Sequence, residues 1–130
     1  MKQLDDVYRS CTLDYFASGA YRIMMKEFLA LKKEDKAMML DLRSKEEADL
    51  VSLSFAYNIP IAELPDRLAE LPRDKVIVTF CASSIRAVMA FVYLQAAGFK
   101  DVKILTDKVQ DLTANFMPPF VAENYDILKK

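Results

Sequence analysis

An apolar, β-branched run, Val76-Ile77-Val78-Thr79-Phe80, leads straight into Cys81-Ala82-Ser83-Ser84, and a helical pattern then runs from Ile85 to Ala97. Five such residues bounded by turn signals read as a buried strand, and the longer periodic stretch reads as a helix. Cys81 therefore stands where a strand ends and a helix begins. The first turn of a helix carries backbone N–H groups without intrahelical acceptors, and its dipole is positive there. A thiol at such a position ionises more readily than a free cysteine, and the loop around it is shaped to hold an anion. One sulfur nucleophile is the leading chemical expectation. The competing reading is a buried, inert core cysteine.

The rest of the chain repeats the strand-then-helix rhythm. Ala20 to Ile23 reads as a short strand, Met25 to Lys33 as a helix, and Ala37 to Asp41 as a buried strand that ends in a carboxylate. Ser44 and Glu47 have the spacing of a capping box, with a short helix following to about Leu50. Tyr57 to Pro60 reads as another short strand. Ala62 to Leu71 is expected to be helical, with Pro65 in the first turn and regular helix from about Leu64. Gly98 follows the Ile85–Ala97 pattern as a C′ residue. Asp101 to Leu105 is the last strand, followed by a helix near Asp107–Asn115 and a break at Pro118-Pro119. Before all this, Leu4, Val7, Tyr8, Cys11, Leu13, Tyr15 and Phe16 have roughly helical spacing. They predict one helical extension over 1–19, packed on a domain spanning 20–130. Alternating elements of this kind form an α/β domain around a parallel sheet with right-handed crossovers. Sites in such sheets lie beyond the carboxyl ends of the strands, where Asp41, Arg43 and Cys81 all fall.

Composition narrows the chemistry. The chain has 130 residues, a net charge of −1 and no histidine. Without histidine there is no Cys-His dyad, no Ser-His-Asp triad and no zincin helix, and two cysteines alone do not make a typical zinc site. No metal and no organic cofactor is expected. Lys and Arg do not cluster, so neither nucleic acid nor an anionic membrane is an expected partner. The charged start, Met1 to Asp6, lacks the apolar core of a secretory signal, and no run is long enough to span a membrane. The expected compartment is the cytoplasm, where thiols stay reduced.

Five segments, in order, resemble the single-domain rhodaneses. Leu40-Asp41-Leu42-Arg43-Ser44-Lys45-Glu46-Glu47 is similar to the family's D-x-R-x-x-x-E segment, and Ala56-Tyr57-Asn58-Ile59-Pro60 to its A-x-N-I-P strand. Leu64 to Leu71 matches the linking helix. Cys81-Ala82-Ser83-Ser84-Ile85-Arg86 resembles the six-residue active-site loop, and Ala97-Gly98-Phe99-Lys100-Asp101-Val102 the G-F-x-x-V that follows it. The resemblance implies a three-layer α/β/α domain with a five-stranded parallel sheet in the order 1-5-4-2-3. It implies transfer of a sulfane sulfur from thiosulfate or a similar small anionic donor, through a persulfide on Cys81, to a thiol, protein or cyanide acceptor. Ala82, Ser83, Ser84, Ile85 and Arg86 would form the loop that cradles the sulfur, with Asp41 and Arg43 bracing it.

The chain departs from the family in three places. Ser84 stands where glycine is usual, and glycine lets the loop turn inward without a Cβ penalty. Val51-Ser52-Leu53-Ser54-Phe55-Ala56 replaces a G-H-I-P-G-A stretch, and Thr106-Asp107-Lys108 replaces a Gly-Gly. Two readings stay open for Arg86, a surface helix residue or a guanidinium over the mouth that holds a sulfonate oxygen. Two stay open for Ser83 and Ser84, donors to the sulfur anion or helix caps. Cys11 reads as a core or surface thiol, with a resolving role as the alternative, and Glu46 and Glu47 as capping, solvated acids. Two other functions compete with sulfur transfer. A partner-binding rhodanese-like module would explain the missing glycines. A phosphatase or arsenate reductase of the same fold would need five residues between cysteine and arginine, and here there are four.

Overall fold

A computed structural model describes residues 4–129; Met1 to Gln3, at the charged start of the chain, and Lys130 lie outside the described residues. Five strands, β1 (Arg22–Ile23), β2 (Ala37–Asp41), β3 (Ala56–Asn58), β4 (Val76–Phe80) and β5 (Val102–Leu105), form one sheet. Its order is β1-β5-β4-β2-β3, and every pairing is parallel. This is the arrangement the resemblance implies. β4 sits at the centre and is buried on both faces, which is why it reads as a continuous apolar run rather than an alternating one.

Side chains alternate across each strand, so neighbouring residues enter different cores. Val78 and Phe80 of β4 join Met39 of β2 and Leu105 of β5 under α3 (Met25–Lys33), α6 (Val109–Ala114) and α7 (Pro118–Leu128). Ile77 and Cys81 face the other way, with Leu40, under α5 (Ile85–Ala96). The layers are therefore helix, sheet, helix. Phe28 and Phe80 are fully buried, and each such side chain contributes about 1.5–3 kcal/mol of transfer free energy. Among the described residues no helix is long and apolar enough to cross a membrane.

Three segments differ from the sequence expectation. The N-terminal extension is two short helices, α1 (Leu4–Arg9) and α2 (Leu13–Ser18). Thr12 divides them: its hydroxyl accepts from the Tyr15 amide and starts a new helix. α1 packs on α5. The stretch Ala62 to Leu71 is not a regular helix but two 3-10 turns, Ile61–Asp66 and Leu68–Glu70. Pro65 has no N–H and its ring crowds the carbonyl four residues back, so the tighter i→i+3 bonds win. The break in the tail falls at residues 115–117, just ahead of Pro118 and Pro119 rather than at them. They occupy the first turn of α7, where proline is tolerated because those amides have no intrahelical acceptor. The remaining helices stand where the periodicity puts them, including α4 (Lys45–Leu50) behind its Ser44–Glu47 capping box.

Candidate functional site

β4 delivers Cys81 to the carboxyl edge of the sheet, and Ala82 to Ser84 carry the chain into α5. Cys81 is only 3% exposed. The Ala87 amide donates to its Sγ at 3.3 Å. Ala87 is the third residue of α5, one of the first-turn donors that a side-chain cap usually satisfies. Here the N-cap residue, Ser84, makes no side-chain capping bond. The sulfur of Cys81 takes the place of the cap. An amide at the positive end of a helix dipole thus points at the one buried thiol among the described residues.

Ser84 has φ 77° and ψ −23°, in the left-handed region. That backbone turn folds the loop back so that the Ala87 amide faces the sulfur. Left-handed backbone costs an L-residue about 1–2 kcal/mol, which is the physical reason glycine suits this position. Ser83 and Ile85 are exposed; Ala82, Ser84 and Arg86 are half-buried.

Arg86 does not reach freely over the mouth. Its guanidinium forms a two-pronged pair with Glu47, Nη1 to Oε1 at 2.6 Å and Nη2 to Oε2 at 3.0 Å. The same carboxylate accepts from the Ser44 amide at 3.1 Å and from the Ser44 hydroxyl at 3.0 Å. Those hydrogen bonds, the Arg86 ones foremost, hold the Glu47 carboxyl at about 2, well below its ordinary value. The pairing pushes Arg86 further up in turn, and negative charge at Cys81 and Asp41 adds to that shift. Glu47 is thus a cap, as its spacing says, and also the partner of the loop arginine. Nothing in the sequence pairs residues 39 positions apart, and the Ala87 amide escapes notice because it is a backbone donor.

Asp41 and Arg43 are both 2% exposed and form a buried ion pair. Arg43 Nη2 lies 2.7 Å from Asp41 Oδ2, Nε lies 3.0 Å from Oδ1, and the Arg43 amide donates to Oδ1 at 3.0 Å. Arg43 also donates to the Val51 carbonyl at 2.9 Å and stands over the Phe80 ring. Phe80 precedes Cys81, and its carbonyl accepts from the Leu42 amide at 2.8 Å. The pair therefore locks the end of β2 against the residue that carries the cysteine. Asn58 completes the brace by donating to the Asp41 and Arg43 carbonyls. Cys11 is an exposed free thiol on the segment between α1 and α2. Across the sheet, Asp107 accepts from the Met25 amide at 2.7 Å and so caps α3, in the stretch where the family usually has its Gly-Gly.

The model of the Rhodanese-like domain matches residues 24–114. The chain belongs to the rhodanese-like family. Among curated proteins it is 38% identical over 96 residues to an HTH-type transcriptional regulator of Mycobacterium tuberculosis, covering 72% of this chain and 42% of the regulator. It is 28% identical over 69 residues to a sulfurtransferase of Allochromatium vinosum, covering 53% of this chain and 64% of that protein. Among solved structures, a rhodanese-related protein from Thermoplasma volcanium superposes with a TM-score of 0.63 at 26% identity, over 75% of this chain and 94% of that one. The rhodanese-like chain spans less than half the length of the regulator it matches.

Proposed function

We propose that this protein is a sulfurtransferase that carries a sulfane sulfur as a persulfide on Cys81. The observation that carries the reading is the Ala87 amide aimed at a buried Cys81 Sγ at 3.3 Å. In the reaction, the Cys81 thiolate attacks the outer sulfur of thiosulfate or a similar donor. A new S–S bond forms on Cys81, the donor's own S–S bond breaks, and its electron pair leaves with sulfite. The persulfide anion then occupies the position of the thiolate, within reach of the Ala87 amide and the α5 dipole, which stabilise both species. A thiol, protein or cyanide acceptor attacks the outer sulfur and restores the Cys81 thiolate. Asp41 and Arg43 keep the strand end rigid through these steps. The exchange balances without metal, oxidant or organic cofactor. It needs a reduced thiol, which suits the cytoplasm.

The test is intact-mass spectrometry after incubation with thiosulfate or a polysulfide. The expected result is one added sulfur on Cys81 that cyanide removes, with Cys81→Ser unmodified. If no donor places a cyanide-labile sulfur on Cys81, the protein is a partner-binding module instead.

A further inference from the structure

α5 is apolar on every side. Apart from the Tyr93 hydroxyl, only Arg86 and Gln95 of its twelve residues carry polar heads. Both are already bonded within the chain, Arg86 to Glu47 and Gln95 to the Phe91 carbonyl. Ala87, Ala90, Phe91 and Leu94 are buried. On a helix that faces water, the opposite side carries polar residues. Here it carries Ile85, Val88, Met89 and Tyr93, all exposed, with Ile85 at 68% and Met89 at 58%. α1 packs on α5 and leaves this stripe uncovered. Beside the stripe, between α5 and the first 3-10 turn, runs a groove of about 150 Å³ lined by Ile61, Leu64, Pro65, Met89, Ala90 and Tyr93. Contiguous apolar surface of this kind marks a face that another molecule covers.

We infer that a second copy of this chain covers the stripe, in a two-fold dimer whose α5 helices run antiparallel. Three observations select a second copy. Ile85, Met89 and Tyr93 are spaced four residues apart, so the stripe is symmetric about Met89. A two-fold axis there sets Ile85 of each copy against Tyr93 of the other. Ile85 is a rise of about 6 Å from Met89 and about 12 Å from Tyr93 along the helix, so a protruding side chain and a groove share one face. Ile85, the most exposed of the stripe, enters the partner's groove, and the same contact recurs across the axis. An apolar cavity of that volume holds a benzene-sized group, and an isoleucine side chain is no larger. Second, the arginines flanking the stripe and the groove are neutralised inside the chain, Arg86 by Glu47 and Arg67 by Glu63 and Glu70. Neither offers a charge to an acidic partner, and a net charge of −1 on each copy sets up little repulsion between them. Third, antiparallel α5 helices bring the positive end of each dipole beside the negative end of the other. The partner subunit's Tyr93 then stands beside Ser84 and Ile85, so the second copy walls one side of each Cys81 loop. The dimer does not depend on which reaction Cys81 performs.

Sedimentation equilibrium of the whole chain tests the dimer. One helix face and one turn make a small interface, about 600 Å² per copy, for which a micromolar Kd is expected. The mass should therefore rise from monomer to dimer between about 1 μM and a few hundred μM. Met89→Lys sets two unpaired charges at the axis and should raise Kd about tenfold or more. Tyr93→Lys should do the same, both with the circular dichroism of the wild type. Cross-linking locates the contact independently of those variants. In a Cys11→Ser/Cys81→Ser background, Met89→Cys should form a disulfide dimer under diamide, which takes up the two electrons and two protons released. Tyr125→Cys, similarly exposed on α7, should react several-fold more slowly. A chain that stays monomeric over the whole range, a dimer that both lysine variants leave intact, or equal cross-linking at the two positions overturns the inference. Growth beyond a dimer overturns it as well, because a two-fold contact closes. Each of those results leaves the sulfur-transfer reading standing, since none of these measurements follows sulfur.

Discussion

Replacing Ser84 by glycine should stabilise the protein and leave sulfur transfer intact or faster. Ser84 is held at φ 77°, where an L-residue is about 1–2 kcal/mol worse than in the right-handed region. Glycine removes that penalty but loses more chain entropy on folding, about 0.4–1 kcal/mol. The Ser84 hydroxyl caps nothing, so no hydrogen bond is forfeited there. The balance is a gain of about 1 kcal/mol, which for a chain of 130 residues raises Tm by about 4 °C. The chain has no tryptophan, so the melt is best followed by far-ultraviolet circular dichroism, alongside steady-state rates with thiosulfate. A lower Tm would show that the loop is not strained at Ser84. A large loss of rate would mean that the hydroxyl itself takes part in binding or catalysis.

Arg43→Leu leaves the Asp41 carboxylate buried without its partner and should cost about 3–5 kcal/mol, read as a lower midpoint in urea unfolding; a change below about 1 kcal/mol would mean the pair does not brace the strand end. The Glu47 pair makes a pH prediction. Its carboxyl is depressed to about 2 in the folded protein, so its contribution to stability is complete above the ordinary value near 4.5 and is lost as pH falls from there toward 2. Glu47→Gln should flatten that part of the stability–pH curve measured by urea titration, and identical curves would contradict the pairing. The effect is small because both side chains are partly exposed and solvent screens them.

The strands and the place of Cys81 at a strand end were legible in the sequence because one local signal decides each. β4 is an unbroken β-branched run, β2 ends at Asp41, and the Ser44–Glu47 spacing announces α4. Local signals failed where a rule has two outcomes. Pro65 permits either a helix start or a broken helix, and the contact of the Ile61 amide with the Leu42 carbonyl, which no window around Pro65 contains, anchors the turn beside β2. Pro118 and Pro119 likewise permit either a stop or a first turn. The site was half legible. The placement of Cys81 and its loop follows from position in the chain, and Asp41 and Arg43 stand, as a buried pair, at the strand end the sheet rule names. The neutralisation of Arg86 by Glu47 depends on how α4 and α5 are set against each other, and that is decided by the packing of the whole sheet.

The sheet order has a consequence for how the chain reaches this structure. β4 pairs with β5 across 25 residues, Ile77 against Val102, and with β2 across 39, Ala37 against Val76, but β1 pairs with β5 across 82, Arg22 against Ile104. The Met25 amide that opens α3 is capped by Asp107, 82 residues downstream. On a growing polypeptide, β1 has no neighbour and α3 no cap until nearly the whole sheet has been synthesised. Closing so long a loop is entropically costly and slow compared with local pairing. β1, the first strand of this sheet, is thus the last to gain its neighbour, and Asp107 caps the helix that follows it.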